Sequence, residues 1–157
     1  MSPGGALAPG LANGLRGVPG VDHEWKEGPM HWTVELSGTD GYAVVTTSGK
    51  FEVDDHLRMI EDIVGRPGWR PGTDVLFDHR ALSFDEANLR AMYQASTNHL
   101  RNDARIGGGR AAILVRSLAD YGRGRQFELM TASRVAATLS VFLDEAEALD
   151  WLAGQTV

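Results

Sequence analysis

Residues 75–89 read VLFDHRALSFDEANL, and the fold turns on where the strand in this stretch stops and the next helix starts. Val75, Leu76 and Phe77 form a short apolar run of the kind found in buried strands. Asp78, His79 and Arg80 interrupt it. Ser83-Phe84-Asp85-Glu86 then matches a capping box, in which the Ser83 hydroxyl accepts the Glu86 N–H and the Glu86 carboxylate reaches back to Ser83. The stretch therefore predicts a strand over 75–77 and a helix from Ser83 to about Leu100, with Asp85 adding a favourable charge in the first turn.

Working outward, Trp32, Val34 and Leu36 alternate with Thr33, Glu35 and Ser37, the period of a strand with one wet face. Gly38-Thr39-Asp40-Gly41 turns the chain and residues 42–47 supply an antiparallel partner, so a hairpin opens the domain. Val53, Leu57, Ile60 and Val64 recur at helical spacing after the acids Glu52, Asp54 and Asp55, and Gly65 with Pro67 ends that helix. Arg105 to Gly109 reads as a loop. The unbroken apolar run 111–115 marks a strand covered on both faces. Ser117 and Asp120 predict a capped helix from Leu118 to about Ser133. A strand around 138–143 and a short helix lined by Ala146, Leu149 and Leu152 complete the order β-β-α-β-α-β-α-β-α. This is a single mixed α/β sheet opened by a hairpin, with parallel neighbours wherever a helix intervenes.

The 157 residues fit one domain, carry a net charge of -6 and contain no cysteine. Disulfides and thiolate chemistry are thereby excluded, and a cytoplasmic setting is the expectation. The negative balance argues against nucleic acid as a partner, and no run is long and apolar enough to span a bilayer. Residues 1–29 hold seven glycines and four prolines, too little apolar material to offset ordering. They read as a flexible tail before a domain at 30–157. Met30 directly precedes the first patterned element, so a start at Met30 is a second reading of the same letters.

Two segments follow the carboxyl ends of neighbouring strands, where open α/β sheets present their sites. The first holds Asp78, His79 and Arg80. The second, RSLADYGRGRQFELM at 116–130, holds Arg116, Tyr121, Arg123 and Arg125 near a helix start, where N–H groups and guanidinium forks suit an anion. Gly122 and Gly124 sit in that helix at a cost of about 1 kcal/mol each. Close approach by a neighbour is the structural explanation, a kink or ligand contact the functional one. A hydrolase built on Ser83 and His79 lacks a nucleophile turn and an oxyanion hole. Gly107-Gly108-Gly109 precedes a strand and is no phosphate loop. The five histidines show no metal-ligand spacing and read as surface or core residues. No cofactor or metal is expected.

The strand end L-F-D with the S-F-D-E start, the A-I-L-V strand leading to ADYGRGRQFE, and the ending SVFLDEAEALDWL together resemble the SpoIIAA-like family of STAS/SEC14-type proteins. Tyr121, Gly122, Arg125 and Phe127 carry that resemblance, as do Phe142, Leu143, Asp144, Ala146, Ala148, Trp151 and Leu152. It implies a small sandwich of four or five strands with helices mainly on one face. Related STAS domains bind protein partners and are controlled by phosphorylation of a serine at the start of the helix after the third strand. Here that turn reads Asp85-Glu86-Ala87-Asn88 and lacks the serine. Ser83 is the nearest hydroxyl, read as the helix cap, and a phosphate there would face Asp85 and Glu86. The SEC14 side implies lipid or other apolar ligands. A binding or regulatory module therefore stands ahead of an enzyme. It would engage a protein partner or small anion through residues 78–86 and 116–125, with a homodimer also open. The competing reading is a carrier of a small apolar or acyl ligand, using Trp69, Tyr93, Tyr121 and Phe127.

Overall fold

The structure, a computed structural model, describes residues 28–36 and 41–154. Residues 1–27 of the predicted tail and the tip of the opening hairpin lie outside them. Five strands, β1 (His31–Leu36), β2 (Tyr42–Lys50), β3 (Asp74–Ser83), β4 (Arg110–Leu114) and β5 (Thr138–Phe142), form one sheet in chain order. β1 and β2 are antiparallel and the other pairs are parallel. The helices are α1 (Val53–Gly65), α2 (Leu89–Arg101), α3 (Asp103–Ile106), α4 (Leu118–Ala132) and α5 (Glu145–Leu152).

Strand side chains alternate between faces, and the register lines them up in rows. Val34, Val45, Phe77, Ile113 and Val141 are cross-strand partners in turn across all five strands. With Met59 and Ile63 of α1, the four from β2 to β5 belong to the larger core, against which Val34 of β1 and Tyr121 and Phe127 of α4 pack. α2 lies between α1 and α4. The opposite face carries Leu76, Ala112, Leu114 and Phe142, covered by Ala148 and Leu152 of α5. The order read from the sequence is present, with the single turn α3 added where a loop was expected.

Three local expectations change. β3 does not stop at Phe77 but runs to Ser83, because β2 supplies ladder partners as far as Lys50 and Leu82 is fully buried. The Ser83 capping box does not form. Ser83 Oγ accepts the Asp85 N–H at 3.3 Å, while the Glu86 carboxylate takes Lys50 Nζ at 3.2 Å. The helix begins at Leu89 instead, with Asn88 Oδ1 accepting the Ala91 N–H at 2.9 Å. That true first turn, residues 89–92, also lacks a serine. Lastly, the buried stripe of α1 is His56, Met59, Ile60, Ile63 and Val64, turned one position from the expected Val53 and Leu57.

At the amino ends of β3 and β4, two glycine-containing loops meet backbone to backbone. Gly72 N–H donates to Ile106 O at 2.8 Å and Trp69 Nε1 donates to Arg105 O at 2.8 Å. A Cβ on Gly107 would fall 2.3 Å from Gly72 N, and one on Gly109 would fall 2.5 Å from Gly72 O. Gly107 also has φ +79°, a conformation L side chains rarely adopt. Trp69 packs against the larger core at this end.

The α4 glycines have different reasons. A Cβ on Gly124 would lie 2.7 Å from Val141 Cγ2, so glycine lets the helix settle on β5, whereas nothing lies within 4 Å of Gly122. Gly124→Ala is expected to lower stability by about 1–3 kcal/mol through overpacking. Gly122→Ala should raise it by about 0.5–1 kcal/mol through helix propensity. Thermal denaturation of the two variants checks the opposite signs.

Candidate functional site

The site region begins with a β-bulge. Thr46 pairs with Asp78 but Ser48 pairs with Ala81, so β3 carries one extra residue there. Before the bulge, Val75, Phe77 and His79 face the helix-rich side. After it the alternation has shifted, and Leu82 returns to the same core. Asp78 and Arg80 leave through the other face. The Arg80 guanidinium grips Asp78 with two bonds of 2.9 Å and reaches Glu145 of α5 at 3.2 Å. The three adjacent letters Asp78, His79 and Arg80 thus belong to two sites. One is an ion network joining β3 to α5, and the other is a histidine set into a cleft.

That cleft lies over the carboxyl ends of β3 and β4. Its walls are Phe51, His56, His79, Phe84, Met92, Ala95, Ile113, Val115 and Phe127, with Ala87, Asp120, Arg123 and Gly124 completing the lining. It holds about 60 Å³ of free space, well short of the roughly 150 Å³ that accommodates benzene in an engineered core cavity. An occupant would bury a small group and extend outward. The rings form a connected belt, with centroids 5.5 Å apart for Phe51 and His56, 5.5 Å for Phe51 and Phe84, and 5.8 Å for His79 and Phe84. His99 stands behind, 5.5 Å from both His56 and Phe127.

Each imidazole is held differently. His79 Nδ1 lies 2.7 Å from Thr47 Oγ1, whose hydroxyl also reaches Asp78 O at 3.3 Å. His56 Nδ1 lies 3.0 Å from Asn98 Nδ2, and the same amide donates to Val53 O at 3.1 Å. His99 Nδ1 is buried with no hydrogen-bond partner, a cost of about 1–3 kcal/mol. Burial keeps all three neutral. It drives His79 down to about 4 against the pull of the Asp78 carboxylate, and His99 down to about 4 against that of Asp103. His56 is lowered well below the ordinary histidine value by burial and by the like charges His99 and His79 would carry. For Asp78, burial raises the carboxyl, but the hydrogen bonds and charge of Arg80 outweigh it and hold the group below the usual range.

The arginines of the second segment are largely engaged within the chain. Asp120 is buried and takes Arg123 at 3.0 Å, and Arg125 grips Glu128 at 2.5 and 2.9 Å. Pulling Arg123 away would leave a buried carboxylate unpaired, at about 3–5 kcal/mol. Arg116 is exposed between β4 and α4, and Tyr121 packs against the larger core. Of the four aromatics expected at an opening, Phe127 lines the cleft. Trp69 sits at the opposite end of the sheet, and Tyr93 lies exposed beneath the Arg134 guanidinium, 4.5 Å away.

His56, His99, Thr47, Asn98, Phe51 and Met92 were not singled out by sequence, whereas Phe84 falls within the expected 78–86 segment. A signal was present for the rings. His79 continues the alternation of Val75 and Phe77, His56 stands four before Ile60, and His99 stands seven after Met92. Each histidine therefore falls on an apolar face by period.

No protein-family model and no curated protein matches the sequence. Among solved structures, the chain is similar to an uncharacterised protein of the DUF3478 family from Shewanella loihica, described as having a SpoIIAA-like fold. The TM-score is 0.51 at 20% identity, covering 78% of this chain and 93% of that one. The chain accordingly has a SpoIIAA-like α/β fold. Among the described residues no helix is long and apolar enough to cross a membrane.

The neutral histidines make stability pH-dependent with a definite sign. Their folded pKa values lie below the unfolded value of about 6.5, so the unfolded chain takes up protons first and stability falls as pH drops from about 6.5 towards 4. His79 and His99 are expected to contribute roughly 2 kcal/mol of loss each between pH 6.5 and 5. Asp78 adds to the loss at lower pH, as its carboxylate protonates. Urea denaturation at pH 7, 6 and 5 reads this directly, and a flat profile would mean that the rings are not buried neutral.

Proposed function

We propose that this protein is a binding module whose ligand is a small, mainly apolar molecule held in the cleft between α1, α2, α4 and the carboxyl ends of β3 and β4. The observation that carries this reading is the lining. Phe51, Phe84, Met92, Ile113, Val115 and Phe127 surround two imidazoles, and the charged part of the lining is the mutually paired Asp120 and Arg123. Pockets of this composition, with few convergent polar groups, are the usual form of small-ligand sites. Anion binding through Arg123 and Arg125 is less well supported, because both guanidinium groups already satisfy carboxylates. Ala87 lines the cleft, is half-buried and lies in the loop before α2, so Ala87→Trp should obstruct the cleft while leaving the fold intact. Native mass spectrometry of protein purified from its own cells is expected to show a reproducible added mass on the wild type that the variant lacks. The same added mass on both would place the ligand elsewhere.

A protein partner is the second reading, favoured by the outer face of α4. Leu118 and Leu129 are 77% and 69% exposed, and eleven residues bring the helix back to about the same side. Replacing both with Ser should change stability by no more than about 0.5 kcal/mol and abolish co-purification of such a partner. Retained co-purification removes this reading.

A further inference from the structure

The cleft contains two imidazoles whose Nδ1 atoms meet different hydrogen-bond partners, an amide nitrogen at His56 and a hydroxyl at His79. The Asn98 side chain is oriented by Val53 O, which only an N–H can satisfy, so its nitrogen is the atom facing His56. That nitrogen carries two hydrogens. One goes to Val53 O and the other to His56 Nδ1, which must therefore accept. A neutral His56 whose Nδ1 accepts carries its hydrogen on Nε2. The Thr47 hydroxyl has a single hydrogen and two neighbours. Assigned to Asp78 O at 3.3 Å, it leaves Oγ1 free to accept from His79 at 2.7 Å, whereas assigned to His79 it would move that ring's hydrogen to Nε2. In the first assignment His79 carries its hydrogen on Nδ1, and its Nε2 is a bare lone pair. Neither Nε2 is sealed without a partner, in contrast to His99 Nδ1, and both rings line the cleft.

Resting on the ligand reading of the cleft, we infer that the site selects an uncharged group able both to donate and to accept a hydrogen bond, an alcohol, phenol or amide, and discriminates against a carboxylate. His79 Nε2 accepts from the ligand and His56 Nε2–H donates to it. A carboxylate has nothing to donate to His79 and would present its charge to that lone pair within apolar walls. The charged groups at the cleft do not rescue it. Arg123 is held by the buried Asp120, and the Asp78–Arg80–Glu145 network is on the far face of the sheet. Burial supports the same picture, since it keeps both rings neutral near pH 7.

Two measurements on the wild-type protein test this without a variant that could misfold. Long-range 1H–15N correlation spectra of the imidazoles should show His56 protonated at Nε2 and His79 at Nδ1. Finding both at Nε2, the form favoured by free histidine, overturns the inference. Amide shifts of Ala95 and Gly124, which line the cleft, are then titrated at pH 7 with hexan-1-ol, hexanamide, hexanoate and 1-methoxypentane. The alcohol and the amide should bind at least tenfold more tightly than hexanoate and the ether. Equal or tighter binding of hexanoate, or of the ether that lacks a donor, overturns the donor–acceptor assignment while leaving the cleft as a ligand site. Failure of all four probes to shift these residues removes the ligand reading, and the inference with it.

Discussion

Where Phe77 packs into the helix-covered face of the sheet, Asp78 must leave through the other face and His79 must return to the first. That alternation joins three adjacent polar letters to two different parts of the molecule. Asp78 and Arg80 reach α5 through Glu145, and His79 enters the cleft. The bulge opposite Thr47 then resets the period so that Leu82 is buried as well. Without it, β3 would turn Ala81 rather than Leu82 into the core, and the β2–β3 ribbon that walls the cleft would lose its apolar anchor.

Polar groups are admitted to this core on condition that the backbone or a side chain meets them. Thr47 and Asn98 do so for His79 and His56, each reaching from a neighbouring element to a ring and to a main-chain carbonyl of that ring's own element. The imidazoles consequently serve as rigid walls and not as mobile surface groups. His99 Nδ1 is the exception among the described residues. Its ring is kept in place by the T-shaped contact with Phe127 and by burial.

The architecture was legible because most of its signals are local. Apolar runs at 75–77 and 111–115, the alternation in β1 and the Ser117 cap of α4 each specify their element with little help from elsewhere. What failed depended on partners remote in sequence. Ser83 looks like a cap until β2 offers it a ladder position and Lys50 takes the Glu86 carboxylate. Of the residues expected to form a site, His79 and Arg123 line one cleft, whereas Asp78 and Arg80 leave through the other face of the sheet. The particular chemistry was not legible. Histidine counts as polar in any periodicity, which hid the stripe of α1. The ion pairs that occupy Arg123 and Arg125 are set by rotamers, which sequence spacing permits but does not dictate.

The glycine seam between residues 72 and 107–109 has an evolutionary consequence. At that end of the sheet a single added methyl group at Gly107 or Gly109 would collide with main chain, so nearly every substitution there threatens folding. At the opposite end, the loops bearing Phe51, Phe84 and Ala87 are half-buried and border open space. Mutational freedom is therefore distributed along the strand axis, and a lineage could retune what the cleft accepts by exchanging a few loop side chains while the seam holds the scaffold constant.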